Sequence, residues 1–151
     1  MTKRRRRTKV VLDTNVFVGN FLTSSLRSSN RRVVRLWLLE RRLKLALSSE
    51  IRGEYLRIFE EVLNFDERQR EGWRRRFNNR RISEHLNPGS RPRMSRDPAD
   101  NIFIATAMAA KAQFLITNDR DLLDIAEADK RKLRFRIVTP EQFIEYWENL
   151  S

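Results

Sequence analysis

Cysteine is absent from this 151-residue chain, and histidine occurs once, at His85. Disulfide bonds, thiolate zinc sites and histidine-rich metal sites are therefore excluded, and any bound metal must be held by oxygen ligands. Long apolar runs are absent as well, since none approaches the roughly 20 residues that a membrane-crossing helix needs. The first residues also lack the apolar segment of a signal peptide. We therefore expect a cytoplasmic protein with no membrane contact.

Positive charge is abundant instead. Lysine and arginine number 32 against 20 acidic residues, which gives a formal net charge of +12. Such an excess favours polyanionic partners. The length and the 40% hydrophobic content fit one domain with a real core. We expect a basic, flexible arm over residues 1–8 and a single domain over residues 9–151.

Short apolar segments alternate along the chain with segments of helical spacing. Strands are predicted at residues 9–12, 45–47, 114–117 and 135–139. Helices are predicted over residues 30–42, 66–81 and 97–112, and a helix or turn at 121–129. Two further helices are predicted from their caps: one begins after Ser48 or Ser49, and the last follows a capping box of Thr139 and Gln142. This alternation predicts a three-layer α/β/α fold around a parallel sheet of about four to five strands.

An aspartate ends two of the predicted strands. Asp13 follows Val10, Val11 and Leu12, and Asp119 follows the strand at 114–117. Ligands of open α/β sheets bind outside the carboxyl ends of the strands, so both carboxylates are expected to reach one crevice. Each aspartate also fits the N-cap of a following helix.

Three further acids are candidates for the same crevice. Glu54 lies three residues after Ile51 and four before Ile58, so we expect its carboxylate on the inward side of that helix, where it needs a partner. Asp97 stands before a proline at a helix start and fits an N-cap. Asp100, in the first turn, either complements the helix dipole or turns into the crevice.

Several carboxylates in one crevice repel each other, and a divalent cation removes that repulsion. Oxygen ligands favour Mg²⁺ or Mn²⁺, which polarises a phosphate and lowers the pKa of a bound water. This chemistry needs no protein nucleophile. We therefore expect His85 to lie at the surface, outside catalysis.

The motifs are DTN at residues 13–15, SSE before Glu54, DPADNIFIATAMAAKA at 97–112, FLITNDRDLL at 114–123 and IVTPEQF at 137–143. In this order and spacing, the chain resembles the PIN domain family over residues 9–147. The resemblance implies a metal-dependent ribonuclease whose acids are Asp13, Glu54, Asp100 and Asp119. The DPxDN segment is similar to toxin components of toxin-antitoxin pairs, which implies a small antitoxin partner and a homodimer.

One position of the resemblance has alternatives. Counting back from Asp119, the family's acid falls on Asn101, next to Asp100. One step along a helix turns the side chain by about 100°, so the two cannot face a metal equally. We choose Asp100 and hold Asp97, Asn101 and Asp121 in reserve. If Asn101 holds the position, one ligand charge is lost and metal affinity falls.

An arginine-rich stretch follows Asp66, and arginine holds phosphates. The same arginines also fit an acidic antitoxin segment. Trp73 and Phe77 either stack on bases or join the core, and their helical spacing favours the core. The residues predicted to contact substrate RNA are Asn15, Thr117, Asn118, Arg74, Arg75, Arg76, Arg80 and Arg81.

The leading hypothesis is a metal-dependent endoribonuclease that acts as a toxin. The alternative is an RNA-binding module of the same fold with little catalysis. A DNA-binding or purely structural protein is disfavoured, because no recognition-helix motif is present.

Overall fold

Five parallel strands form the centre of the molecule. A computed structural model describes residues 7–25, 27–90 and 92–150. The strands are β1 (Thr8–Leu12), β2 (Leu43–Leu47), β3 (Ser83–His85), β4 (Phe114–Ile116) and β5 (Arg136–Val138). They form one sheet in the order β3-β2-β1-β4-β5. The predicted three-layer α/β/α fold is confirmed, with five strands.

Helices connect the strands. In the described residues they are α1 (Thr14–Leu22), α2 (Ser29–Leu38), α3 (Ser49–Glu61), α4 (Glu67–Asn78), α5 (Asn101–Ala110), α6 (Arg120–Leu123), α7 (Glu127–Lys130) and α8 (Pro140–Glu148). A short 3₁₀ helix, Pro98–Asp100, leads into α5. The predicted caps Ser48 and Thr139 each accept a hydrogen bond from the first turn of their helix, and Asp66, which was not predicted as a cap, does the same for α4. None of these helices has both the length and the apolar content of a membrane span.

The direction of the crossovers changes at the middle of the sheet. The chain steps outward from β1 to β2 and β3, and then returns past β1 to β4 and β5. Right-handed crossovers therefore place α1 to α4 on one face and α5 on the other. The switch lies between β1 and β4, which is where ligands bind in folds of this kind. These two strands end next to Asp13 and Asp119.

An aromatic cluster fills the layer between the sheet and helices α1 to α4. The centroid of the Phe17 ring lies 4.8–6.2 Å from those of five other rings. Trp73 and Phe77 are among the five, and both side chains are buried. The prediction that these two residues belong to the core is confirmed, and they are not available to stack on bases.

Several elements differ from the predictions, and α2, for example, ends at Leu38 rather than at residue 42. β1 begins at Thr8, which we expected in the arm, and residues 1–6 lie outside the described residues. Strand β3 was not predicted, because its sequence Ser-Glu-His is polar and it pairs with β2 only, at the edge of the sheet. Helix α4 ends at Asn78, three residues earlier than predicted, since a turn leads into β3.

Candidate active site

Asp13 is held at the end of β1 by both strands of the switch point. Its backbone N–H donates to the Ile116 carbonyl of β4 at 3.0 Å. Its buried carboxylate accepts hydrogen bonds at Oδ2 from the Thr117 hydroxyl at 2.6 Å and the Asn15 amide at 3.0 Å. Asp13 occupies the N-cap position of the described helix α1 but makes no capping hydrogen bond of normal geometry. Its carboxylate lies on the wall of the cleft described below, and the backbone of Thr14 and Asn15 at the start of α1 also favours its ionised form.

Asp119 has two functions in the structure. Its Oδ1 accepts a hydrogen bond from the Asp121 N–H at 2.9 Å and thereby caps α6. Its own N–H donates to the Thr117 hydroxyl at 2.9 Å. That hydroxyl donates to Asp13, so one fully buried threonine connects the two acids. Thr117 was predicted to contact RNA, whereas in the structure its side chain is fully buried and its hydroxyl is used between the two acids.

Asp100 is the third acid of the cluster. It ends the 3₁₀ helix, is 7% exposed, and lies 3.4 Å through Oδ2 from the Ser95 hydroxyl. One carboxylate oxygen each of Asp13, Asp100 and Asp119 lies within 4.8 Å of the others. The sequence predicted that these three acids reach one crevice, and in the structure they lie together.

The reserve residues have other contacts. The Asn101 Oδ1 accepts hydrogen bonds from the backbone N–H groups of Met94 at 3.3 Å and Ser95 at 3.0 Å, so Asn101 orders the loop before the site. Asp97 caps the 3₁₀ helix through the Ala99 N–H at 3.0 Å. Asp121 pairs with Arg96 at 3.0 Å. Asp97 and Asp121 can form a second close group with Asp100.

Glu54 is not directed into the core as we expected. Its side chain is 40% exposed, and its carboxylate pairs with Arg57 at 2.9 Å. The inward stripe of α3 is filled by Ile51, Tyr55 and Phe59, which are fully buried. Glu54 is one step away from that stripe, at the mouth of the cleft that holds Asp13 and Asp100. The prediction of an inward carboxylate was wrong, because a helical turn offers Arg57 as a partner at the surface.

Burial and mutual repulsion disfavour ionisation of two of the acids. Burial raises the pKa of Asp13 to about 6, and the charge of Asp119 adds to this, while the hydrogen bond from Thr117 opposes it. The pKa of Asp100 rises to about 7, first because of burial and then because of the charges of Asp119 and Asp13. Burial and Asp13 also raise the pKa of Tyr55, whose hydroxyl donates to the Leu12 carbonyl.

This donor set fits a divalent cation of the Mg²⁺ or Mn²⁺ type. Three carboxylate oxygens within mutual ligand distance provide the hard oxygen donors that such ions prefer. A cation would also remove the repulsion that raises the pKa values of Asp13 and Asp100.

The acids open into a cleft of about 590 Å³. Asp13 and Asp100 lie on its wall with Asp97, Glu50 and Glu54, and Arg57 is the basic residue on that wall within the described part of the chain. The remaining wall is apolar and consists of Val18, Ile58, Val62, Ala99, Ile102 and Phe103, with Thr14 and Asn15 between them.

An amide network lies beside the cleft. The Asn15 Oδ1 accepts a hydrogen bond from the Asn118 N–H at 3.1 Å, and the Asn118 amide donates to the Asn30 Oδ1 at 2.9 Å. Asn30 lies over Gly19 of α1, where a Cβ would meet the Asn30 Nδ2 at 2.4 Å. Asn30, Ser95 and Tyr55 were missed as site residues, and no spacing signal in the sequence indicates them.

The arginines predicted to hold RNA do not line this cleft. Arg74 pairs with Glu71, and Arg76 lies over the Trp73 ring at 4.7 Å. Arg80 and Arg81 precede β3 and therefore lie at the opposite edge of the sheet from the acids. We had expected these arginines on a surface near the acids, and the structure corrects this for Arg80 and Arg81, because the unpredicted strand β3 places them at its start.

The profile of the PIN domain family matches residues 9–121, which include every acid of the cluster. The chain belongs to the PIN domain family. PIN domains are generally nucleases that act on nucleic acids. The chain is also similar to a protein of Methanocaldococcus jannaschii that is named only as uncharacterized, with 34% identity over 71 residues. This match covers 44% of the chain and 45% of that relative, so the chain matches less than half the length of the relative.

Proposed function

We propose that this PIN domain protein is a Mg²⁺- or Mn²⁺-dependent endoribonuclease that serves as the toxin of a toxin-antitoxin pair. The observation that carries the proposal is the cluster of Asp13, Asp100 and Asp119. One carboxylate oxygen of each lies within 4.8 Å of the others, and Asp13 and Asp100 lie on the wall of a cleft. Family membership supports nuclease chemistry. The raised pKa values of Asp13 and Asp100 support a cation as the missing counter-charge.

The three aspartates would hold the cation, and Glu54 is the fourth candidate. A bound divalent cation supplies neutralisation of the scissile phosphate and a water of lowered pKa. The protein supplies orientation, because Thr117 and Asn15 fix one oxygen of Asp13. Ser95 lies beside Asp100 and positions it in the same way. Asn118 is exposed beside Asn15 and is the residue that an RNA strand entering there would meet.

The apolar wall of the cleft favours binding of a nucleobase next to the scissile phosphate. Val62 is half exposed at this wall. Apolar side chains at the mouth of an active site also favour a protein partner, which agrees with a small antitoxin that covers the cleft. We extend the proposal to a homodimer on the family resemblance alone.

The test is cleavage of structured RNA by purified protein in Mn²⁺, in chelator, and after the substitution Asp13→Asn. We expect cleavage in Mn²⁺ only, and its loss in the variant. Asp129→Asn is a matched control, since Asp129 lies on α7 and pairs with Lys132. Cleavage that persists in chelator and in Asp13→Asn would contradict the proposal.

The second candidate function is RNA binding with little catalysis. The observation that favours it is the Glu54–Arg57 ion pair, which leaves three acids in the cluster rather than four. Salt-sensitive RNA binding without cleavage in Mn²⁺ would select this candidate. Co-expression with a small neighbouring open reading frame tests the toxin assignment separately, through a stable complex that blocks cleavage.

A further inference from the structure

Basic residues stand at the start of every strand of the sheet. Arg7 precedes β1, Arg41 and Arg42 precede β2, Arg80 and Arg81 precede β3, Lys111 precedes β4, and Arg134 and Arg136 stand at the entry of β5. We call these eight residues the basic edge. Because all five strands are parallel, their N-terminal ends lie side by side along one edge of the sheet, which runs across the strands. The acids lie along the opposite edge, at the C-terminal ends.

Hydrogen bonds across the sheet bring these entries together. The Arg7 guanidinium donates to the Arg81 carbonyl, and the Lys44 ammonium donates to the Arg80 carbonyl at 2.9 Å. The Gln113 N–H donates to the Lys9 carbonyl at 2.8 Å, and the Arg136 N–H donates to the Gln113 carbonyl at 3.1 Å. With neighbouring strands about 4.8 Å apart, five strands make a row of charges about 19 Å long.

The charges of the basic edge are exposed and largely unpaired. All eight side chains are exposed. Within the described ranges, Arg41, Arg80, Arg81, Lys111 and Arg134 make no ion pair with a carboxylate. Elsewhere paired and unpaired cations are mixed. Arg57, Arg70, Arg74 and Arg96 pair with an acid, whereas other exposed arginines lie singly on the helices. The basic edge is therefore distinguished by its continuous row of exposed charge and not by the lack of acidic partners.

Helix dipoles explain only part of this row. Arg41 and Lys111 follow the ends of α2 and α5, where a cation is favoured. Both, however, have a φ of 54°, in the left-handed region where glycine or asparagine is preferred. Arg7 precedes the first strand, and Arg134 follows only the four-residue α7, so no long helix accounts for them. Arg41 and Lys111 thus occupy positions where the local backbone favours other residue types, and the helix dipoles do not account for Arg7 or Arg134.

The basic edge is separate from the cleft. A five-residue strand spans about 16 Å, so a phosphate on Arg7 or Arg41 is at least that far from Asp13. All members except Lys111 are arginines, whose planar guanidinium groups match the oxygens of a phosphate. We propose that the basic edge binds the phosphate backbone of a structured nucleic acid, as an anchor for a segment other than the one in the cleft. Binding at this edge requires no catalysis.

The experiment measures binding of a fluorescent RNA hairpin of about 20 base pairs by anisotropy, across a series of KCl concentrations. All proteins carry Asp13→Asn, so that cleavage does not interfere. The edge variant is Arg41→Gln, Lys111→Gln and Arg134→Gln combined. The matched control is Arg27→Gln, Arg35→Gln and Arg68→Gln combined, which removes equal charge from exposed positions outside the edge. Thermal unfolding of each protein verifies that it is folded.

We expect the RNA affinity of the edge variant to fall on the order of tenfold or more. The change in log Kd of the control should be less than half of that seen in the edge variant. The slope of log Kd against log salt should fall by roughly two to three in the edge variant, at ~0.9 for each lost phosphate contact. Equal losses in the two variants would overturn the proposal and leave net charge as the cause. The proposal would also be overturned if the edge variant kept its affinity for the RNA but lost affinity for a poly-glutamate peptide in the same assay. That result would assign the edge to an acidic protein. The readout is binding, so a failure of the nuclease proposal does not affect it.

Discussion

The two edges of the sheet carry opposite charge in opposite environments. At the carboxyl edge, Asp13 and Asp100 are buried and their pKa values are raised. At the amino edge, arginines such as Arg41 and Arg134 are exposed. Ionising a buried carboxylate is unfavourable without a counter-charge, whereas an exposed arginine is solvated. Each buried acid with a raised pKa therefore indicates a bound counter-charge by itself. The exposed arginines indicate a ligand only through their number and their arrangement in a row.

The largest expected effect separates the two candidates for the third acid. Asp100→Asn should reduce cleavage by roughly 10²–10³-fold, the scale on which loss of one electrostatic group slows catalysis. Asn101→Asp should stay within a few-fold of the wild type, because aspartate can still accept the hydrogen bonds from Met94 and Ser95. Single-turnover cleavage in saturating Mn²⁺ measures both. If Asn101→Asp instead activates the enzyme strongly, Asn101 holds the ligand position.

Stability should depend on pH through the carboxyl edge. Because the folded pKa of Asp13 is raised from 3.8 to about 6, folding is unaffected by this group below pH 3.8 and is progressively disfavoured as the pH rises to about 6. The shift corresponds to about 3 kcal/mol at pH 8 in metal-free protein. Asp13→Asn should therefore be more stable than the wild type at pH 8, by up to about that amount, and no more stable near pH 4.

Urea unfolding in chelator at several pH values measures this difference. The raised pKa of Asp100 acts in the same direction, so Asp100→Asn should also flatten the pH dependence. A wild-type protein that becomes more stable between pH 5 and pH 8 in chelator would contradict the electrostatic description of the cluster. An exposed arginine of the basic edge, such as Arg134, should show no such dependence when it is replaced by glutamine.

A smaller effect is expected from the residue that joins two of the acids. Thr117→Val removes the hydroxyl that donates to Asp13 and accepts from the Asp119 N–H. Loss of a group that orients metal ligands weakens metal affinity or activity by roughly 10–100-fold. Thr117→Ser keeps the hydroxyl and should recover most of the activity. Mn²⁺ titrations of cleavage separate the two variants, and equal activity of both would remove this role from Thr117.

The smallest effect is expected at the mouth of the cleft. Glu54→Gln should lower activity by about tenfold or less, because the carboxylate is half exposed and paired with Arg57 rather than clustered with the aspartates. Arg57→Gln, which frees Glu54, is expected to strengthen Mn²⁺ binding by a few-fold. Isothermal titration with Mn²⁺ checks both variants. A loss in Glu54→Gln as large as that in Asp100→Asn would place Glu54 among the main ligands.

Much of the carboxyl edge could be predicted from the sequence. Asp13 and Asp119 follow apolar strand segments, and parallel strands bring their ends together whatever the details of packing. The exposure of Glu54 could not be predicted in this way, because the position on the helix gives the direction of Cβ but not the partner of a long side chain. The choice of Asp100 over Asn101 likewise depends on a 3₁₀ turn that changes the register by part of a turn.

The amino edge was harder to recognise. Arg80 and Arg81 were grouped with the predicted helix of residues 66–81, because β3 carries no apolar signal. Once β3 is placed, the order of the strands moves both arginines away from the acids and next to Arg7. The number of charges can thus be read from a sequence without a structure. Their position in the fold, however, depends here on β3, a strand that pairs through its backbone and carries no apolar pattern.

The close approach of Gly19 to Asn30 has a consequence for the variation of related sequences. A methyl group at position 19 would displace the Asn30 side chain, and with it the hydrogen bond to Asn118 beside Asp119. Relatives that carry a larger residue at position 19 should therefore carry a shorter one at position 30, and the two positions should change together rather than one at a time.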